Sequence, residues 1–278
     1  MKNLLERKRK NFQMELYSIS RINTYLENPW KHWCKYIAKM KPKYDPEANK
    51  YMDRGTVFHK VMELMAKGED EAHARAKALL MANEEGFAQE AKTCGFLAVE
   101  RYLDEYGTER FESIKEAEYE LRLKLSDTAE FIGFIDAIVE NEDGTVTLVD
   151  YKTYGNSPSA DKLKYGMQAN MYMYVAKQLG FNVKDFMFDC VNPKEVLKGR
   201  AYRTKRVTFR YNERTSEFMF EQFKEIVKQI EANPEYKVYT AGDYMPDMYD
   251  MLFKVYVGDI TENIEEFIDR YFIVKGDE

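Results

Sequence analysis

Three charged residues sit in stretches that otherwise read as sheet interior. Asp136 lies in FIGFIDAIVE (131–140), Asp150 lies in TVTLVDYKT (145–153), and Lys152 follows Asp150 by two positions. An unpaired charge inside a sheet is costly, so each of these needs a partner. The turn between the two runs makes their geometry checkable. A three-residue loop, Glu142-Asp143-Gly144, closed by glycine in the left-handed region, sets Asn141 opposite Thr145 and therefore Asp136 opposite Asp150. Lys152 then projects from the same face. A two-residue loop, Asp143-Gly144, would send the carboxylates to opposite faces. Two carboxylates facing each other at roughly 5 Å repel unless a cation sits between them. A hard divalent ion such as Mg²⁺ accepts such oxygens. The lysine beside it can hold or help deprotonate a water and can stabilise charge building on a phosphate. A buried Asp–Lys salt bridge joining two strands is the alternative these three residues leave open.

Two further groups extend the pattern. His59 stands in YMDRGTVFHKVMELMAK (51–67), four residues after Gly55. A glycine inside a helix costs about 1 kcal/mol relative to alanine and suggests close packing on another element. If that element is the hairpin, His59 supplies an imidazole ligand to the same ion. Gln168 and Tyr172 share one helix face by their i, i+4 spacing. The plainer reading of that pair is an ordinary amphipathic helix with tyrosines, of which the chain has 21.

The elements that must position these residues follow from periodicity. A short helix from Ser20, a break at Asn28-Pro29 and a second aromatic helix precede a clear amphipathic helix over 51–67, with Val57, Val61, Leu64 and Met65 on its stripe. Residues 69–106 read as helical. Residues 114–125 alternate as a half-buried strand, and the two runs around the turn are apolar on both faces, as strands covered on each side are. Residues 161–179 return to helical spacing, 183–191 and 201–210 make strands, and helices cover 214–232 and 260–272. The order is that of a mixed α/β domain.

Composition sets the outer limits. The chain has 278 residues, 45% hydrophobic and 32% charged, which excludes a disordered chain. No run approaches the roughly 18 apolar residues of a membrane span, and the basic N-terminal stretch lacks the apolar segment of a secretory signal. Three dispersed cysteines, Cys34, Cys94 and Cys190, point to a reducing cytoplasm. The net charge of −6 hides an asymmetry: residues 1–43 carry a local +8 and residues 239–278 a local −7. Basic clusters at 31–43 and 198–206 are candidates for a nucleic-acid track, although such charged faces are more often simply solvated.

Taken together, RGTVFH (Arg54 to His59), GFID (Gly133 to Asp136), DYKT (Asp150 to Thr153) and QANMY (Gln168 to Tyr172) resemble the RecB-type branch of the PD-(D/E)XK nuclease superfamily, with similarity over about residues 17–175. The opening YSISRINTYLENPWKHWCKY is similar to that branch's N-terminal helix pair. The resemblance implies a restriction-endonuclease-like mixed β-sheet core, flanked by helices on both faces, with N-terminal and C-terminal helical extensions. It implies one domain over 1–278, with a helical part at 17–110, the catalytic sheet at 111–210 and a helical part at 211–278.

The roles it implies are specific. His59, Asp136, Asp150 and the main-chain carbonyl of Tyr151 would bind Mg²⁺ or Mn²⁺. Lys152 would orient the attacking water, so that Asp136, Asp150 and Lys152 carry the catalysis. Gln168 and Tyr172 would support the site and touch the DNA backbone. Glu118 or Glu120 would match a further acidic position. Relatives with an iron–sulfur cluster place one cysteine before the proline of the helix pair and three near the C-terminus. Here Asn28 precedes Pro29 and no cysteine follows Cys190, so no iron–sulfur cluster is expected, and residues 234–259 would hold the ends by aromatic packing. The implied activity is a metal-dependent exonuclease acting on linear DNA ends in recombination, repair or phage DNA processing, as a homo-oligomer or beside a recombination or annealing partner, in the cytoplasm of a bacterium or phage-infected host. An idle binding module on the same fold, and a restriction-type or structure-specific endonuclease, are the alternatives.

Overall fold

The computed structural model describes residues 14–194, 202–241 and 247–274. Strand β1 (Glu15–Tyr17) leads into helix α1 (Ile19–Glu27), capped by the Ser18 hydroxyl, which accepts the Arg21 N–H at 3.2 Å. Asn28 closes α1 and caps the short α2 (Pro29–His32), which continues as a π-helical turn over Trp33–Ile37 before β2 (Met40–Pro42). Then come α3 (Pro46–Ala66), α4 (Glu71–Glu84), α5 (Gln89–Tyr106), β3 (Ile114–Lys124), β4 (Ala129–Glu140) and β5 (Val146–Thr153). After them run α6 (Ala160–Lys164), α7 (Met167–Gln178), β6 (Val183–Val191), β7 (Thr204–Arg210), α8 (Glu213–Ala232), α9 (Met248–Val257), α10 (Ile264–Tyr271) and β8 (Phe272–Val274).

Several boundaries differ from the periodicity for local reasons. The helix expected at 51–67 begins at Pro46, because Asp45 caps it and proline suits the first helical turn. The helical stretch 69–106 is two helices, interrupted around Gly86 at φ +72°. The helix at 161–179 is broken at Tyr165-Gly166. Helix α9 falls inside 234–259, where aromatic content hid a good capping box at Asp247 and Asp250. The helix expected at 260–272 is the shorter α10, and its last residue passes into β8.

The described residues form two compact units. The larger comprises, among the described residues, 45–122, 133–194 and 202–220. Its sheet is mixed: β4 is antiparallel to β5, β5 parallel to β6, and β6 antiparallel to β7, with β3 pairing β4. On one face Val149, Tyr151, Ala137, Val139 and Val191 pack against Phe58, Val61 and Met62 of α3 and Ala98, Val99 and Tyr102 of α5. Gly95 lets the two helices meet, since a Cβ there would lie 2.6 Å from the Val57 Cβ. Asp150 alternates with these residues along β5, and its carboxylate accepts from Gln168 of α7 on the other face.

The smaller unit comprises, among the described residues, 14–44, 123–132, 221–241 and 247–274. Within it β1 runs parallel to the start of β4, and β2 pairs antiparallel with β8. Trp30 and Trp33 pack with Tyr249, Leu252, Phe267 and Phe272, and Tyr239 stacks on Phe253 at 3.8 Å. This is the aromatic packing expected of 234–259, of which residues 242–246 lie outside the described ones.

Candidate active site

The hairpin adopts the three-residue turn. The Asn141 N–H donates to the Thr145 carbonyl at 2.9 Å, the Gly144 N–H donates to the Asn141 carbonyl at 3.0 Å, and Gly144 takes φ +73°. The ladder pairs Ala137 with Val149, so one step further the register sets Asp136 opposite Asp150. The Asp136 carboxylate is fixed from two sides. Its Oδ2 accepts the Tyr151 N–H at 2.6 Å, and its Oδ1 lies 3.1 Å from His59 Nδ1.

Helix α3 brings His59 there. A Cβ on Gly55 would stand 3.4 Å from Thr153 Oγ1 at the end of β5, so the glycine marks the close passage of helix over hairpin. The His59 ring meets Tyr151 edge-on, with centroids 6.3 Å apart. Burial by itself would lower the His59 pKa, but the Asp136 charge and hydrogen bond outweigh it and raise it. Burial likewise opposes ionisation of Asp136, and the histidine, Lys152 and the Tyr151 N–H together hold its pKa below the ordinary value.

Asp150 is enclosed and differently held. Its Oδ1 accepts from Gln168 Nε2 at 2.8 Å, and its Oδ2 lies 2.6 Å from Lys152 Nζ. Burial raises the Asp150 pKa despite the lysine. Burial would also discharge Lys152, yet Asp150 and Asp136 keep its pKa above the usual value, so the ammonium persists. Tyr172, one turn beyond Gln168, is buried behind it, with a pKa raised by burial and by the Asp150 charge.

Of the two candidate glutamates, Glu118 enters the site. Its backbone takes φ +52°, a left-handed conformation that a side chain bearing Cβ resists. The alternation of β3 is interrupted at this point. His59, Glu118 and Asp136 each offer a ligand atom within 4.8 Å of the others'. Burial, then the charge of Asp136, pushes the Glu118 pKa up to about 7. Glu120 is exposed and paired with Arg122. One imidazole and two carboxylates, one of them held in a strained conformation and reluctant to ionise without a cation, fit a hard divalent ion.

This group opens on a cleft of about 420 Å³, lined by Met52, Gly55, Thr56, His59, Lys60 and Glu63 of α3, with Met81, Glu118 and Asp136. Glu63 lies one turn beyond His59 on the same helix face, a spacing present in the sequence; it is bound by Lys60 at 2.9 Å and Lys67 at 2.5 Å.

Several residues of the basic clusters are committed elsewhere. In 198–206, residues 198–201 lie outside the described ones. Arg203 pairs with Asp104, Lys205 donates to the Pro158 carbonyl at 2.8 Å, and Arg206 grips Asp189 at 2.6 and 2.9 Å. In 31–43, Lys31 pairs with Asp247 and Lys43 donates to the Asp269 carbonyl at 2.8 Å. The motifs did not mark Asp189: it is fully buried on β6, and it also accepts from Arg110 at 2.9 Å and the Tyr102 hydroxyl at 3.1 Å.

A family model described as the PD-(D/E)XK nuclease superfamily matches residues 16–247. A crystal structure of a protein from Eubacterium rectale, provisionally described as an exonuclease, superposes with a TM-score of 0.55 at 8% identity, covering 85% of this chain and 92% of that one. That likeness shows a shared fold. An uncharacterized protein of Rickettsia typhi is 24% identical over 191 residues, 61% of this chain and 22% of its own length. A cysteine–tRNA ligase of Mycoplasmopsis pulmonis is 29% identical over 109 residues, 39% of this chain and 16% of its own. The chain therefore spans only about a fifth of the length of these curated relatives. Among the described residues no helix is long and apolar enough to cross a membrane.

Proposed function

Because the chain belongs to the PD-(D/E)XK nuclease superfamily, we propose that it is a divalent-metal-dependent nuclease that hydrolyses phosphodiester bonds in DNA, working inward from the ends of linear molecules. The observation that carries this reading is the convergence of His59, Glu118 and Asp136 at the cleft, with the Asp150–Lys152 pair on the adjoining strand.

His59, Glu118 and Asp136 would hold the ion, with Asp150 and the Tyr151 carbonyl as further oxygen donors from the hairpin. A bound Mg²⁺ or Mn²⁺ would supply an acidified water and offset charge on the phosphate. The chain's own groups have distinct tasks. Lys152 keeps its proton and can donate it as a hydrogen bond to the water or to a phosphate oxygen as negative charge grows there. Glu118, whose pKa stands at about 7 without an ion, would give up its proton as the ion binds and answer the ion's charge as a carboxylate. Gln168 fixes the Asp150 carboxylate by its amide, and the Tyr151 N–H fixes that of Asp136. Tyr172 backs Gln168 from within the core.

The test is digestion of end-labelled linear duplex, single-stranded and closed circular DNA with Mg²⁺, beside EDTA and Lys152→Ala controls. Loss of a linear substrate but not the circle, abolished by both controls, is the expected result. Cutting of the circle would replace the exonuclease with an endonuclease. No cleavage of any DNA with either Mg²⁺ or Mn²⁺ would overturn the reading.

A further inference from the structure

Phe134 is an anomaly in its strand. It stands two residues before Asp136 on β4, so the pleat puts both side chains on one face, roughly 7 Å apart along the strand. Its neighbours Gly133 and Ile135 are buried, yet the Phe134 ring is 48% exposed. Beneath it the Tyr172 hydroxyl turns toward the Phe134 backbone, so the strand is anchored while the ring is left in water. Met52, a second large apolar side chain at 65% exposure, lines the same cleft as Asp136 and His59. The carboxylates of this site thus have exposed apolar surface on the same strand face and in the cleft wall.

Carboxylates outnumber lysines and arginines in the cleft lining, so charge gives no hold on a nucleic-acid backbone there without an ion. Lys60, the cation among the lining residues, is paired with Glu63, and the net charge of the chain is −6. Duplex and single strand are both held through cations on phosphates, but within a duplex the paired bases offer an exposed ring no face to stack on. An unpaired nucleotide offers its base as a flat apolar face, and stacking on an aromatic side chain is a main source of single-strand affinity.

Resting on the nuclease reading above, we propose that Phe134 stacks on an unpaired nucleobase next to the scissile phosphate, with Met52 as further apolar wall, and that the substrate of this site is a single strand rather than a duplex. The phosphate is drawn to the carboxylate-held ion and the base to Phe134. Selection therefore acts on whether the base is free.

The test is a binding cycle in EDTA, read by fluorescence anisotropy with labelled oligothymidylate, the same oligonucleotide carrying abasic linkages, and a blunt duplex. Phe134→Ala is expected to weaken single-strand binding by about tenfold or more and duplex binding by less than about twofold. Abasic linkages should weaken binding to the native chain by a similar factor and should cost the Phe134→Ala chain nothing further, because both changes remove one contact. Phe134→Trp should restore binding, with its added fluorescence quenched by the single strand only. The proposal is overturned if Phe134→Ala binds the single strand normally, if it loses both substrates equally, or if the native chain does not distinguish the abasic strand. The abasic comparison needs no variant, so it decides the matter even if Phe134→Ala does not fold. Cleavage with Mg²⁺ separates the two readings: a native chain that cuts DNA but fails the cycle loses only the stacking role. A chain that passes the cycle but cuts nothing loses the nuclease.

Discussion

His59 Nδ1 and Asp136 Oδ1 lie 3.1 Å apart, although 77 residues separate them and one comes from a helix and the other from a strand. The contact exists because Gly55 lets α3 pass close over the end of β5, and because the Tyr151 N–H holds the other carboxylate oxygen. Asp136 therefore has its charge answered before any ion arrives.

Removing the imidazole should damage metal binding more than the fold. His59→Ala leaves Asp136 the Tyr151 N–H and the nearby Lys152 charge, so the chain should still fold. The rise in melting temperature on adding Mn²⁺ should shrink, and cleavage should drop by about 100-fold or more. Thermal melts with and without Mn²⁺, run beside a cleavage assay, check this. A full metal-induced rise in the variant would remove His59 from the ligand set.

The metal-free protein should lose stability as pH rises from about 5 to about 8. Glu118 has a folded pKa raised to about 7 from the usual 4.5, so the folded state binds the extra proton across that interval. His59 and Asp150 are raised too, and each acts in the same direction. The lowered pKa of Asp136 acts below this window. Urea denaturation in EDTA at a series of pH values measures the slope, and Glu118→Gln should flatten it. Metal binding displaces the same proton, so the stabilisation given by Mg²⁺ should grow over the same interval. Apo stability that rises with pH would contradict the assignment.

Gln168 donates to Asp150 at 2.8 Å and also meets the Tyr172 hydroxyl. Gln168→Ala should lower cleavage by about 10- to 100-fold while leaving the melting temperature within a few degrees. Gln168→Glu should be worse at pH 8, where two carboxylates face each other, and should partly recover as the pH falls and they share a proton. A pH-activity profile of the three chains separates these effects.

Much of this site could be read from residues, and the failures have physical causes. The turn chemistry of Glu142-Asp143-Gly144 fixed the hairpin register, because a one-residue slip would have exchanged the faces of β5. Gly55 signalled a close approach, and the structure shows which strand it approaches. Glu118 could not be told from Glu120, since strict alternation puts both on one face. Only a left-handed residue in mid-strand turns Glu118 inward, and the type Glu gives no hint of that. Asp189 was invisible for a different reason. Arg206 sits directly opposite it on β7, but the long connection between β6 and β7 hides that register from the sequence, and Arg110 and Tyr102 come from a stretch about 80 residues earlier.

That buried aspartate also reassigns Arg206 of the second basic cluster. Arg206 holds both oxygens of Asp189 while stacking over Tyr106 at 3.9 Å, and Arg110 adds a third bond. A charge removed from such a group leaves the others buried and unanswered, at a cost of about 3–5 kcal/mol. Asp189→Ala should therefore destabilise strongly, and Arg206→Ala should do so less, because Arg110 and Tyr102 remain on the carboxylate. Neither should change how DNA binding falls with salt, since Arg206 is spent on the fold and releases no counterion from the phosphates. Urea titrations give the first pair of numbers, and binding isotherms at several salt concentrations give the second. If Arg206→Ala keeps full stability and lowers the salt slope by about one, this arginine is a phosphate contact, and the track runs along β7.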